Sequence, residues 1–82
     1  MKSIEITVAR SAYYSVGVRL WYVVQSTTGE RFQRWSFAMN QSDECLLICA
    51  SGDILEIEYD EIHPHGDLTE TVNVISKVAF KK

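Results

Sequence analysis

No stretch of this chain approaches the roughly 18 apolar residues that a membrane-spanning helix needs. The opening Met1-Lys2-Ser3-Ile4-Glu5 lacks the apolar segment of a secretory leader, because Glu5 and Arg10 interrupt it. The expectation is therefore a cytoplasmic protein. Proline occurs once, at Pro64, and glycine four times, at Gly17, Gly29, Gly52 and Gly66. That is too sparse for a linker or a low-complexity tract, so these residues read as punctuation between elements. Only two cysteines are present, Cys45 and Cys49, and four-residue spacing in a helical stretch suits a disulfide badly. Also missing are a nucleophile motif, a phosphate-cradling glycine loop, and a carboxylate pair with a partner base, so no enzyme is expected.

What is present is one domain's worth of chain, residues 1–82, with 46% hydrophobic content and room for a small core. Ile4, Ile6 and Val8 alternate with polar neighbours and predict a first strand. Ser11 to Ser15 reads as a connection carrying Tyr13 and Tyr14. Gly17 to Gln25 predicts a long second strand with Val16, Val18, Leu20, Tyr22 and Val24 facing the core. Thr27-Thr28-Gly29-Glu30 predicts a tight hairpin. Pairing Thr27 with Glu30 sets Trp21 opposite Ser36, Val23 opposite Arg34 and Gln25 opposite Phe32. Leu20 then meets Phe37 and Tyr22 meets Trp35 on the core face, and the third strand runs from about Arg31 to Ala38. A slip of one residue would exchange the two faces, so whether Trp21 or Trp35 points inward hangs on this turn.

Asn40 or Ser42 predicts a helix start, with Asp43 and Glu44 favourably placed in the first turn and Cys45, Leu46, Ile48 and Cys49 forming an apolar stripe up to Gly52. Leu55, Ile57 and Tyr59 alternate with Glu56, Glu58 and Asp60 and predict a fourth strand over 53–62. His63-Pro64-His65-Gly66-Asp67 reads as a loop. A last strand runs from about Thr69 to Phe80, with a bulge expected near Ile75, where alternation breaks. The order is strand, strand, strand, short helix, strand, strand, which predicts a mainly β five-stranded barrel of the OB type.

The chain resembles the single-stranded-DNA-binding OB domains. The likeness lies in the long second and third strands joined at Thr28-Gly29, in Leu46-Leu47-Ile48, and in the following Gly52-Asp53-Ile54-Leu55-Glu56-Ile57-Glu58-Tyr59. It implies a ligand groove across strands two and three and the adjoining loops.

Net charge is −3, but it is polarised. Lys2, Arg10, Arg19, Arg31 and Arg34 against Glu5 and Glu30 leave residues 1–40 at +3, and the remainder is −6. A basic face is thus compatible with an acidic total. The candidate nucleic-acid site is Arg19, Trp21, Phe32 and Arg34 on the outer face of strands two and three, with Tyr13, Tyr14 and His65 as secondary loop contacts. Aromatic faces stack on bases of any sequence, and arginines neutralise phosphates. The expected partner is single-stranded DNA, or RNA, bound with little sequence preference. Few cations imply modest affinity per domain, so a homo-oligomer is expected to add avidity. Small size suits a phage or mobile-element protein. The alternative is a protein-binding or inhibitor module using the same aromatic patch. Cys45, Cys49, His63 and His65 have zinc-ligand chemistry but the wrong spacing, and burial of the cysteines is the simpler expectation, with no cofactor. The run Asp53, Glu56, Glu58, Asp60, Glu61 reads as a solvated strand face, with nucleic-acid mimicry as its functional version.

Overall fold

The computed structural model describes residues 1–36, 40–66 and 69–81; the expected positions of Phe37 and Ala38 on the third strand fall outside that set. The elements are β1 (Lys2–Val16), β2 (Arg19–Ser26), β3 (Arg31–Ser36), α1 (Gln41–Ile48), β4 (Ile54–Ile62) and β5 (Val72–Phe80), with one 3-10 turn at Pro64–Gly66. The protein is mainly β. Its five strands form one sheet in which hydrogen-bonded neighbours run β1-β2-β3-β5-β4 and return to β1. The seam between β3 and β5 is parallel and short, Phe32↔Asn73 and Gln33↔Val74; every other pairing is antiparallel.

β1 extends well past the alternation that predicted it. Lys2 to Thr7 pairs with β4, and Arg10 to Val16 pairs with β2, with the register shifting around Ala9. A bulge bends a strand and increases its twist, and here it lets one strand serve two neighbours and close the ring. Ser11 to Ser15, expected to be a connection, is therefore strand. The turn sits at Gly17-Val18, between the partners Val16 and Arg19, with Gly17 at φ 63°. A two-residue turn favours positive φ at its first position, which glycine adopts without strain.

The β2–β3 turn corrects the expected register. The backbone N–H of Ser26 donates to the carbonyl of Glu30 (2.8 Å), and that of Gly29 donates to the carbonyl of Ser26 (3.0 Å). The loop thus has three residues, Thr27 to Gly29, with Gly29 at φ 93°. A turn followed by a left-handed glycine is the second common way to close a hairpin. The hydroxyl of the buried Ser26 supports it by accepting from the Glu30 amide (3.0 Å). The consequence is a one-residue slip. Trp21 opposes Trp35, Tyr22 opposes Arg34 and Val24 opposes Phe32. Faces exchange on β3 alone: Phe32 turns inward and is 1% exposed, while Trp35 turns outward and is 46% exposed.

The inward faces meet in one cluster that includes Ile6, Val8, Tyr22, Val24, Phe32, Leu55, Ile57, Ile75 and Val78. Phe32 meets Tyr59 edge-on at 5.0 Å. Each such side chain stabilises by about 1.5–3 kcal/mol when fully buried. Val16 and Val18, expected on this face, are exposed because they lie at the tip of the β1–β2 hairpin beyond the core. α1 begins at Asn40, which forms a reciprocal capping box with Asp43. It covers one end of the cluster with Cys45, Leu46 and Cys49, whereas Ile48 faces solvent. β4 alternates as expected. The irregularity near Ile75 is a bulge at Ser76, between the pairs Glu58↔Lys77 and Tyr59↔Ile75.

One core polar atom has no partner among the described residues, the hydroxyl of Tyr22. Burial pushes its pKa up, and nearby Asp43 adds to this. A buried hydroxyl without a hydrogen bond costs about 1–3 kcal/mol. Tyr22→Phe is therefore expected to leave the urea midpoint unchanged or raise it, with the same m value. A drop of more than about 1 kcal/mol would mean that the hydroxyl has a partner.

Candidate functional site

Alternation from the Gly17-Val18 turn sorts the outer face of β1, β2 and β3 into cross-strand rows. Val16 lies beside Arg19. Tyr14, Trp21 and Trp35 form the next row, then Ala12, Val23 and Gln33, then Arg10, Gln25 and Arg31. The second row is an aromatic ladder. The rings of Trp21 and Trp35 are stacked, with centroids 5.5 Å apart and planes 11° apart, and Tyr14 lies 5.4 Å from Trp21, tilted by 35°. Neither tryptophan points into the core. Trp21 is sandwiched, and the ladder ends on Tyr14 and Trp35, which are 52% and 46% exposed.

Arginines flank the ladder, Arg19 on one side and Arg10 with Arg31 on the other, and these rows contain no carboxylate. The acids gather elsewhere on the ring. Glu5, Glu56, Glu58 and Asp60 point outward from β1 and β4, where Lys81 pairs with Glu5 and Lys2 pairs with Glu61 at 2.7 Å. The polarisation seen along the sequence thus becomes a polarisation in space.

Two grooves border the ladder. One, of about 910 Å³, is lined by Arg10, Ala12, Tyr14, Gln25 and Arg31 and is walled by Cys49, Ala50 and Ser51. The other, of about 340 Å³, runs from Trp21, Arg31 and Gln33 to the segment Glu70 to Asn73 before β5, with Glu70 as its carboxylate.

Of the residues named from sequence, Arg19, Trp21 and Tyr14 lie on this face. Phe32 and Arg34 do not, because the slip turns them inward. Phe32 is a core residue. Arg34 donates through Nε to Asp43 Oδ1 (2.8 Å) and through a terminal nitrogen to the carbonyls of Ile75 (3.1 Å) and Ser76 (3.0 Å). It ties β3, α1 and β5 together just past the short parallel seam. Asp43 also accepts from the Ser36 hydroxyl (2.8 Å) and the Asn40 amide (3.1 Å). Burial alone would push the Asp43 pKa up, but these hydrogen bonds and the guanidinium charge outweigh it and hold the carboxyl below its usual range.

Tyr13 is on β1 rather than in a loop, with its ring on the side of Tyr22, 6.4 Å away, and off the ladder. The side chain of His65 lies outside the described set. His63 contacts the Glu70 carbonyl through Nδ1 at 3.1 Å. Cys45 and Cys49 belong to the core, and burial pushes the Cys45 thiol up to about 11. Among the described residues no group of three His, Cys, Asp or Glu side chains is placed to hold a metal.

Sequence reasoning missed Trp35, Arg10 and Arg31. The signal that would have found them is Gly29, read as the left-handed residue closing a three-residue loop. Comparison with protein-family models, curated proteins and solved structures gives no match for the chain.

Proposed function

We propose that this chain is an OB-type barrel that binds single-stranded nucleic acid, DNA in the first instance, with little sequence preference. The strand order β1-β2-β3-β5-β4 around the ring, with a helix between β3 and β4, supports the fold assignment. The observation that carries the function is the Tyr14–Trp21–Trp35 ladder set between arginines in cross-strand rows that contain no carboxylate. Unpaired bases present π-faces that such rings accept, and base–aromatic stacking is worth about 1–3 kcal/mol per base. A duplex hides those faces within its own stack. Arg10, Arg19 and Arg31 would neutralise phosphates along the same path, releasing counterions. Binding makes and breaks no covalent bond.

The test is a titration with oligo-dT, following tryptophan fluorescence across a range of salt. Quenching is expected, because the open face of Trp35 meets a base. Three phosphate contacts predict a slope of log K against log salt of about −2, and the double variant Arg10→Ala/Arg31→Ala should reduce it to about −0.7. No quenching at low salt with protein at tens of micromolar would sink the proposal. Capture of a protein by the same patch, insensitive to salt, would favour the rival reading.

A further inference from the structure

β1 leaves part of one edge uncovered. β4 pairs with it only from Lys2 to Thr7, and the loop after α1 adds the Val8 contacts to Gly52 and Asp53. Ser11 reaches the Cys49 carbonyl through its side chain (3.1 Å). Beyond Ser11 no described residue hydrogen-bonds to the backbone on that side. The Gly17-Val18 turn makes Val16 and Arg19 a hydrogen-bonded pair. Alternation then turns the backbone groups of Tyr14 and Ala12 toward β2 and those of Tyr13 and Ser15 toward the open edge.

Open edges are usually blunted by lysine, proline, an inward charge or a covering element. Ala12 to Val16 has none of these: no charge, no proline, and Tyr13, Tyr14 and Val16 all at least half exposed. The segment is also self-complementary about Tyr14. An antiparallel copy centred there sets Tyr13 against Ser15 in both directions, each pair exchanging two backbone hydrogen bonds. It sets Tyr14 against Tyr14 in the closer, non-hydrogen-bonded position and Ala12 against Val16. Arg10 and Arg19 lie outside this span, so no like charges are opposed.

The geometry points to a second copy of this chain as the occupant of the edge. It forms a two-fold dimer whose sheets join across β1. Such an interface is isologous and closes on itself. The dimer stands independently of the nucleic-acid proposal. Where both hold, the two ladders run on into one, Trp35–Trp21–Tyr14 meeting the partner's Tyr14 on a shared outer face.

The test needs no nucleic acid. Sedimentation equilibrium of the wild-type protein at tens of micromolar should give twice the 9.4 kDa chain mass. Ser15→Pro removes an edge donor without touching the β1–β2 ladder, where an edge proline is tolerated. It should weaken association by roughly 10–100-fold with the β circular-dichroism signal retained. A charge-swap pair guards against misfolding. Tyr13→Lys/Ser15→Lys and Tyr13→Glu/Ser15→Glu should each be monomeric, since their new charges oppose one another across the two-fold, and mixing them should restore a dimer. A wild-type monomer up to millimolar concentration, dimers that survive in both charged variants, or no association on mixing would each overturn the proposal. The oligo-dT titration reads the ladder separately, so failure of one proposal is distinguishable from failure of the other.

Discussion

Asp43→Ala is expected to cost about 3–5 kcal/mol of folding stability, the typical penalty for removing one partner from a buried ion pair. Asp43 is 0% exposed and uses both carboxylate oxygens, on Arg34, Ser36 and the Asn40 amide. Truncation leaves the Arg34 guanidinium half-satisfied, removes one arm of the capping box and opens the joint between α1 and β3. Folded domains are stable by about 5–15 kcal/mol in total, so the loss is a large fraction. It should appear as a lower urea midpoint at unchanged m. Asp43→Asn keeps the size and loses the charge, and should fall between alanine and wild type. Asp43→Leu/Arg34→Met, which removes both charges, should be less damaging than Asp43→Ala. An uncompensated buried charge is worse than none, although the carbonyls of Ile75 and Ser76 lose a donor in the double variant. The same contacts set a pH dependence. The folded-state pKa of Asp43 lies below its unfolded value, so its contribution is fully present above the ordinary aspartate pKa. It is lost as pH falls through the depressed folded value. Acid unfolding of Asp43→Asn should lack that component. If wild type and Asp43→Asn lose stability in parallel below pH 4, the carboxylate is not the anchor described.

Much of this architecture was legible because period-two alternation is a strong signal where one face is buried. Leu55, Ile57 and Tyr59 against Glu56, Glu58 and Asp60 could only be a strand with its apolar side inward, and β4 is that strand. α1 was legible from its ends, the Asn40 cap and the acids of its first turn, more than from its stripe. Ile48 follows Leu46 and Leu47 in sequence yet faces solvent, because only about two turns are built and the core lies to one side of them.

What alternation does not carry is registration between strands. Trp21 lies on a strand with large apolar residues on both faces, and β3 carries one aromatic on each face, Phe32 and Trp35, so either facing satisfies the pattern equally and only the turn decides. Thr27-Thr28-Gly29-Glu30 admits a two-residue turn centred on Thr28-Gly29 and a three-residue loop ending on Gly29. The second also engages the hydroxyls of Ser26 and Thr28, which bond each other at 2.9 Å, with Thr28 donating to the Glu30 carboxylate. Those contacts are local, but nothing in the hydrophobic pattern reports them. The length of β1 was hidden for a related reason. Ser11-Ala12-Tyr13-Tyr14-Ser15 lacks alternation because the hairpin it forms projects beyond the core and buries neither side fully. The pairing of Arg34 with Asp43 was out of reach from sequence, since it depends on Arg34 turning inward after the slip.

Trp35→Ala is expected to weaken oligo-dT binding by roughly 5–150-fold, the equivalent of about 1–3 kcal/mol for one stacked base. The magnitude belongs to Trp35 rather than Trp21 because of the order of rings. Both faces of Trp21 are taken, one by Trp35 at 5.5 Å and the other by Tyr14 at 5.4 Å, whereas Trp35 ends the ladder with nearly half its surface open. Trp21→Phe should therefore cost less affinity than Trp35→Ala, while Trp35→Phe should retain much of the binding. Folding should tolerate Trp35→Ala, since the ring is outside the core cluster. Phe32→Leu supplies the opposite pattern. Phe32 lies inward three residues earlier on the same strand, so replacing its buried ring with a smaller side chain should cost about 1–3 kcal/mol of stability and leave affinity unmoved. The contrast reads the register directly in solution. With the hairpin closed as a two-residue turn, Phe32 would face the ligand and Trp35 the core, and the two variants would exchange phenotypes. An affinity loss at Phe32 with a stability loss at Trp35 would reject both the three-residue loop and the ladder built on it.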